Sequence, residues 1–279
     1  MPVQARRLIR KMRGGAQAHL IEADDGHCYV VKFKNNPQHR RILVNELLAS
    51  SFLHYLQITT PETALVELSP SFLEGNPGLH LQLGNRKVPV EQGRHFGSRF
   101  PGDPDRLAVF DFLPDVLLSQ VANSPDFLGA FVFDKWTANA DGRQTIFFRA
   151  SVRDGESAGA GQARFVTSMV DQGYIFDGPK WRFIDSHLQG LYHRPMVYHS
   201  VTCLDDFQPW LDRMRHFPEE VVDQACKQVP REWLGEDEAA LEQLLTRLLE
   251  RRKRIEYLIE DACGNARGAS FPNWTGSGR

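Results

Sequence analysis

Four charged residues of this sequence stand where phosphoryl transfer needs them. Lys32 lies in the β-forming run Tyr29-Val30-Val31-Lys32-Phe33, where strand alternation puts it on the face of Val30, able to reach phosphate oxygens across a cleft. Glu46 follows inside the next helical run, placed to supply a carboxylate partner for that ammonium. Asp141 lies in Asn139-Ala140-Asp141-Gly142-Arg143-Gln144, a polar turn after a helix. That is the place for a group that orients or deprotonates an acceptor hydroxyl, and Asn139 braces the turn. Asp171, in Ser168-Met169-Val170-Asp171-Gln172-Gly173, ends a strand with Asp-x-Gly, the form of a magnesium-holding turn. Ahead of these, Arg13-Gly14-Gly15-Ala16-Gln17 marks a hairpin tip whose missing side chains let backbone N–H groups approach phosphate.

Each feature alone has an ordinary explanation: a plain hairpin, a solvated strand lysine, a common turn. Their order carries the weight. Phosphate donors, a cation, its carboxylate, an acceptor-side Asp and a metal carboxylate follow one another as a single mechanism uses them.

The elements that must position them are read from periodicity. Residues 8–12, 19–23 and 28–33 form three antiparallel strands, the last two joined through Asp25-Gly26. A helix follows Pro37 as far as about Leu56, with Leu43, Leu47, Phe52, Leu53 and Leu56 near helical spacing. Further strands are expected at 63–68, in a hairpin around Gly84-Asn85 and at 107–112, with a Gly/Pro/Arg-rich loop at 93–104. From Pro114 the pattern turns helical, at 115–122, 125–138, 206–214, 218–227 and 238–262. An inserted β-rich pair, 145–149 and 164–170, flanks a small-residue link at 153–163. The fold class is therefore α+β in two lobes. Residues 1–113 are the β-rich N-lobe with one helix, carrying the phosphate loop, Lys32 and Glu46, and 114–279 are the mostly helical C-lobe, carrying Asp141 and Asp171. This is the plan of a protein kinase.

Composition sets the outer bounds. The chain has 279 residues, 33 basic against 35 acidic and 42% hydrophobic, enough for a sizeable core and unlike a disordered or collagenous chain. A formal charge of −2 argues against sequence-independent phosphate contacts, so no nucleic-acid partner is required. Cys28, Cys203, Cys226 and Cys263 are far apart, without disulfide or zinc spacing. With no apolar leader and no apolar run of membrane length, the expectation is a cytoplasmic protein without a membrane partner.

The motifs together resemble the HipA-like kinase family, in its compact bacterial form. The likeness rests on Arg13 to Gln17, Val31-Lys32-Phe33, Asn45-Glu46-Leu47, Thr60-Pro61-Glu62 and His95-Phe96-Gly97-Ser98-Arg99. It continues through Phe133-Asp134-Lys135-Trp136, Asn139 to Gln144, Asp171-Gln172-Gly173 and Phe271-Pro272-Asn273-Trp274, so it spans nearly the whole chain. Bacterial HipA proteins are serine/threonine kinases related to phosphatidylinositol kinases and best known as toxins of toxin–antitoxin pairs. The resemblance implies a two-lobed protein-kinase-like fold, ATP, Mg²⁺ and a protein or small-molecule phosphoacceptor. Gly14, Gly15, Ala16 and Gln17 would then face the nucleotide. Lys32 would hold its α/β-phosphates with Glu46 behind it, Asp141 would be the catalytic base and Asp171 a metal ligand. Phe110-Asp111-Phe112-Leu113-Pro114 would be the hinge whose backbone meets adenine.

Three departures accompany the resemblance. The second metal-ligand Asn, five residues past the catalytic Asp, is here Ile146, and Gln144 offers the same amide oxygen as its substitute. The loop from Arg13 to Gln17 lacks the Ser that HipA toxins autophosphorylate. The toxins' additional N-terminal subdomain is missing ahead of the phosphate loop, so an antitoxin partner does not follow. Ile146 also supplies the warrant for an alternative, a pseudokinase that binds nucleotide as an interaction module.

Overall fold

The computed structural model describes residues 1–152, 162–266 and 269–276; the link expected at 153–163 lies, as far as residue 161, outside the described residues. The strands are β1 (Val3–Lys11), β2 (His19–Ala23), β3 (Cys28–Lys32), β4 (Thr63–Leu68), β5 (His80–Leu83), β6 (Arg86–Pro89), β7 (Gly93–Arg99), β8 (Val109–Phe110), β9 (Gln144–Val152) and β10 (Gln162–Val170). The helices are α1 (Arg41–Tyr55), α2 (Pro70–Gly75), α3 (Asp115–Leu118), α4 (Asp126–Thr137), α5 (Trp210–Arg215), α6 (Glu219–Gln228), α7 (Arg231–Leu234), α8 (Glu238–Arg251) and α9 (Ile255–Asn265).

In the first lobe β1, β2, β3, β7 and β4 close, in that order, into a barrel. Alternation decides which side chains fill it. Ile21, Tyr29, Val31 and Val66 point inward with Phe33 and Leu68, and Phe72 of α2 and Leu81 of β5 complete this core. The alternate row, in which Leu20 pairs with Val30, Val30 with Ser98 and Lys32 with Phe96, faces outward toward α1 and the second lobe. Lys32 is thereby aimed at the space between the lobes by a register that the barrel core enforces.

Two expectations change here. The stretch read as a loop at 93–104 is, through Arg99, strand β7, which pairs with both β3 and β4. Its inward positions are His95 and Gly97 rather than aliphatic residues, so the alternation is not visible in hydrophobicity. A Cβ on Gly97 would lie 2.5 Å from Val66 Cγ2, so the absence of a side chain lets Val66 fill the barrel. The strand read at 107–112 shrinks to β8 and pairs with β9, joining the second lobe's hairpin although the division at 113 puts it in the first.

Helix α1 is buried along most of its length, from Ile42 to Leu53, because it is apolar or small on nearly every side. Gln57, in the left-handed region at φ 58°, reverses the chain after it, with Gln57 N–H and Ile58 N–H donating to His54 O and Leu53 O. In the second lobe all twelve residues of α4 are buried, and Trp136 donates its indole N–H to Leu248 O of α8 at 2.9 Å. The helix expected at 238–262 is broken at Arg252–Arg254 by a 3-10 turn. Arg251 turns inward there, donating to Trp136 O at 2.8 Å and Lys135 O at 3.0 Å, so the chain bends around the end of α4. β9 and β10 form one hairpin, in register from Gln144 opposite Val170 outward. Among the described residues no helix is long and apolar enough to cross a membrane.

Candidate active site

The outward row of the barrel delivers Lys32 to two carboxylates at once. Its Nζ donates to Glu46 Oε1 of α1 and, at 2.6 Å, to Asp171 Oδ1 at the end of β10. The Lys32 and Glu46 side chains are 10% and 5% exposed, whereas Asp171 remains 39% exposed at the opening between the lobes. Burial works to remove the Lys32 proton, but Glu46 and Asp171 together hold the ammonium above the ordinary lysine range. Burial also raises Asp171, yet the adjacent ammonium outweighs it and the carboxyl sits below its usual range. Burial pushes the Glu46 carboxyl up more than Lys32 pulls it down, and the Asp171 charge adds to the rise. Two carboxylates from different lobes thus meet on one ammonium.

Asn45, beside Glu46, is a positioning residue that the sequence offered only as part of a motif. Its Nδ2 donates to Gly173 O, Ile175 O and Gly178 O at 2.8, 3.1 and 3.1 Å, while its Oδ1 accepts from Trp181 Nε1 at 2.9 Å. Helix α1 is thus bonded to the segment that follows Asp171. Gly173 lets the two approach, since a Cβ there would lie 2.5 Å from Ile42 Cγ2.

The Asp141 turn is built on a buried ion pair that sequence reading missed. Arg143 gives Nε to Asp134 Oδ2 at 2.8 Å and Nη2 to Asp134 Oδ1, with side-chain exposures of 1% and 0%. Its Nη1 donates to Gln172 Oε1 at 2.6 Å, tying this turn to the Asp-x-Gly turn. Burial raises the Asp134 carboxyl and Arg143 opposes the rise. Asn139 braces the turn as expected: its Nδ2 donates to Asp134 Oδ1 at 2.9 Å and its Oδ1 accepts from Asp141 N–H at 3.2 Å. Asp141 itself is exposed, its Oδ1 accepting from Gly142 N–H at 2.8 Å and its Oδ2 from Gln144 Nε2 at 3.2 Å. Gln144 therefore spends its amide nitrogen on Asp141. It lies opposite Val170, the residue before Asp171, so Asp141, Gln144 and Asp171 share one end of the hairpin.

At the hairpin tip between β1 and β2, Gly14 and Gly15 are exposed, and among the described residues the N–H groups of Gly14, Gly15 and Ala16 have no acceptor. Ala16 is buried. Gln17 faces elsewhere than expected: its side chain donates to Gln82 O at 2.7 Å and accepts from Gln82 N–H at 2.8 Å, fastening the tip to β5.

The other end of the interlobe space is a cavity of about 710 Å³. Glu22 and Cys28 form its ceiling from the barrel's outward row, Ile146, Phe148 and Ser168 its floor, and the segment from Phe100 to Asp105 a wall. The segment expected at this place, Phe110, Asp111 and Phe112, does not line it. Phe110 sits opposite Phe147 in β9, Asp111 is exposed, and Phe112 lies under the Arg194 guanidinium at 4.7 Å. The physical reason is that the chain leaves the barrel at Arg99, not at 112, so the residues directly after β7 meet the cavity.

A profile of the family described as HipA-like kinase matches residues 6–147, which take in the glycine turn, Lys32, Glu46 and Asp141. No curated protein matches. Among solved structures the chain is similar to the Golgi casein kinase with Mn/ADP bound, with a TM-score of 0.51 and 11% identity over 96% of this chain and 74% of that one. A second crystal structure of the Golgi casein kinase gives 0.50 and 10% over 96% and 73%. At such identity the likeness is one of fold, a two-lobed protein-kinase-like architecture.

Proposed function

The chain belongs to the HipA-like kinase family, and from that premise we propose a cytoplasmic, ATP- and Mg²⁺-dependent phosphotransferase whose acceptor is a Ser/Thr hydroxyl on a protein. The observation that carries this reading is the Lys32 ammonium bonded to both Glu46 and Asp171, because it joins barrel, helix and metal-type turn at one point. A lysine held charged, together with hairpin-tip N–H groups that have no acceptor among the described residues, suits a triphosphate.

The donor set fits Mg²⁺. Asp171 is a partly exposed carboxylate, and Asp141 and the Gln144 amide oxygen stand at the same hairpin end, all hard oxygen donors. Among the described residues no group of three or more His, Cys, Asp or Glu forms a metal cage. That suits an ion which keeps waters and takes substrate phosphates as ligands. When bound, the metal would neutralise charge on the phosphates. In this mechanism Lys32 binds the α/β-phosphates and the glycine-turn amides hold the outer phosphate. Asp141 accepts the acceptor's proton on a carboxylate whose Oδ1 is held by Gly142 N–H and whose Oδ2 is held by Gln144 Nε2, and the cavity between Cys28 and Phe148 takes the base.

The test is transfer of labelled γ-phosphate from ATP, with and without Mg²⁺, to the protein itself or to lysate proteins. Asp141→Asn and Asp171→Asn should each abolish it. The absence of both transfer and thermal stabilisation by Mg-ATP would falsify the enzyme reading. Ile146 favours a second reading, a pseudokinase, which stabilisation without transfer would support. A small-molecule acceptor is the outcome if transfer requires metabolites rather than proteins, and intact-mass measurement detects AMP transfer instead.

A further inference from the structure

Phosphoryl transfer places negative charge on the oxygens of the group in flight, and rate is gained by donors held there in advance. Near Asp141 the obvious cations are spent. Arg143 is buried on Asp134 and Gln172. Lys135 caps the carbonyls of Ser186, His187 and Gln189 at 2.9, 3.3 and 2.6 Å. Lys32 is held at the opposite wall by Glu46 and Asp171.

One group remains beside the turn. A Cβ on Gly142 would lie 2.4 Å from His193 Nε2 and 3.1 and 3.2 Å from its Cδ2 and Cε1, so the ring's outer edge rests on the residue after Asp141. The φ of Gly142 is one that any residue adopts, so the ring, not the backbone, excludes a side chain there. The residues around His193 are all pinned. Gly190 N–H donates to Asp141 O at 3.0 Å, Leu191 O accepts from Arg143 N–H at 3.0 Å, and Tyr192 N–H donates to Tyr198 Oη at 2.9 Å. Arg194 donates to Leu113 O at 3.1 Å and pairs with Asp115. His193 alone of this segment is exposed with no hydrogen-bond or ion-pair partner among the described residues. The chain on either side of His193 is held while its ring, resting on Gly142, has no bond among the described residues and is open to a ligand.

We propose that His193 is a further catalytic residue, donating its Nε2–H to an oxygen of the phosphoryl group as it passes to the acceptor beside Asp141. The inference rests on the phosphotransferase reading above. In the step, the acceptor oxygen bonds to the γ-phosphorus as the bond to the departing ADP oxygen breaks, and the acceptor's proton goes to Asp141. His193 exchanges no proton; its hydrogen bond strengthens as charge develops.

His193→Ala should lower kcat by about 100-fold or more, the usual loss for one such donor, with KM for ATP changed by less than about threefold. His193→Gln, which keeps an N–H at a similar reach, should recover at least about tenfold of that loss. Without turnover, ADP with aluminium fluoride, a mimic of the group in flight, should bind His193→Ala about 100-fold more weakly than the unaltered protein, while ADP alone binds both equally. Unchanged kcat, equal weakening of ADP and of its aluminium fluoride complex, or a His193→Gln as impaired as His193→Ala overturns the proposal. An unaltered protein that neither transfers phosphate nor is stabilised by Mg-ATP overturns instead the phosphotransferase reading itself.

Discussion

Acidification from pH 7.5 to 5 should cost the folded chain about 2 kcal/mol through one side chain, His95, on the strand next to that of Lys32. His95 is buried in the barrel core, its ring 5.5 Å from that of Phe33. Its Nδ1 accepts from Lys34 N–H at 3.0 Å, so the proton sits on Nε2, which donates to Glu91 O at 2.9 Å. A second proton would break the Lys34 bond and bring a charge into a dry core. Burial therefore pushes the imidazole down to about 3, a fall that the Glu91 bond only partly offsets. In the unfolded chain the same ring titrates at about 6.5. With the folded value the lower, the unfolded chain binds the extra proton first, so this stability is complete above about pH 6.5 and drains away as pH falls toward 3. At pH 5 the unfolded chain gains about 2 kcal/mol by protonation, against almost nothing at 7.5, and the whole span is about 5 kcal/mol. Urea unfolding of the native chain and of His95→Gln at pH 7.5, 6 and 5 reads this directly. The native chain should lose about 2 kcal/mol more than the variant over that interval. Because the folded imidazole stays neutral until pH nears 3, its bond to Lys34, two residues past Lys32, persists over this interval and nucleotide affinity should not fall through His95. Parallel stability curves for the two proteins would show that His95 is not the group responsible.

Lys32→Met should abolish transfer and leave Glu46 buried without its cation, at a cost of about 3–5 kcal/mol, or about 6–20 °C in Tm by calorimetry. The deficit should shrink as pH is lowered, because Glu46, already pushed up by burial, takes a proton; a deficit that grows instead refutes the pairing. Arg143→Leu should cost about 3–5 kcal/mol by stranding Asp134 and releasing Gln172, and a midpoint in urea unchanged from the native chain would contradict that ion-pair argument. Gly97→Ala should destabilise the barrel by about 1–3 kcal/mol through the clash with Val66, unless chemical denaturation finds the two chains equal. Ile146→Asn should leave the Mg²⁺ concentration dependence of transfer unchanged and weaken nucleotide binding in titration calorimetry; a lowered Mg²⁺ requirement would mean that position 146 reaches the metal.

What could be read in advance was local. Lys32 and Glu46 announce themselves through a short strand and a helix in sequence, and Asp171 through the turn that ends its strand. That one ammonium would hold both carboxylates was not legible, because it depends on β3 and β10, 139 residues apart, meeting across the interlobe space. Strand β7 was missed because its inward residues are a histidine satisfied by two backbone bonds and a glycine that makes room for Val66. Missing β7 misplaced the exit from the barrel. The hinge expected at Phe110 to Phe112 begins five residues beyond the end of the wall that Phe100 to Asp105 form. Asp134 and Arg143 carried no signal of their own, since a charged pair reads as surface until its burial is known.

The pairing of β9 with β10 gives Ile146 a meaning that motif comparison does not. Gln144 lies opposite Val170 and Ile146 opposite Ser168, so Gln144, Ile146 and Phe148 share one face of the hairpin, each two residues farther from Asp171. The cavity floor is formed by Ile146, Phe148 and Ser168 but not by Gln144. Polarity therefore changes along the strand where the cavity begins. An amide at 146 would put a polar group under an apolar ring face, whereas at 144 its nitrogen finds Asp141 and its oxygen is left at the end nearest Asp171. On the proposed kinase reading Gln144 would offer the amide one pleat along the strand toward the carboxylates, and position 146 is part of the floor. Ile146 would on that reading serve the floor under the base, and stabilisation by Mg-ATP without transfer would return it to the pseudokinase reading.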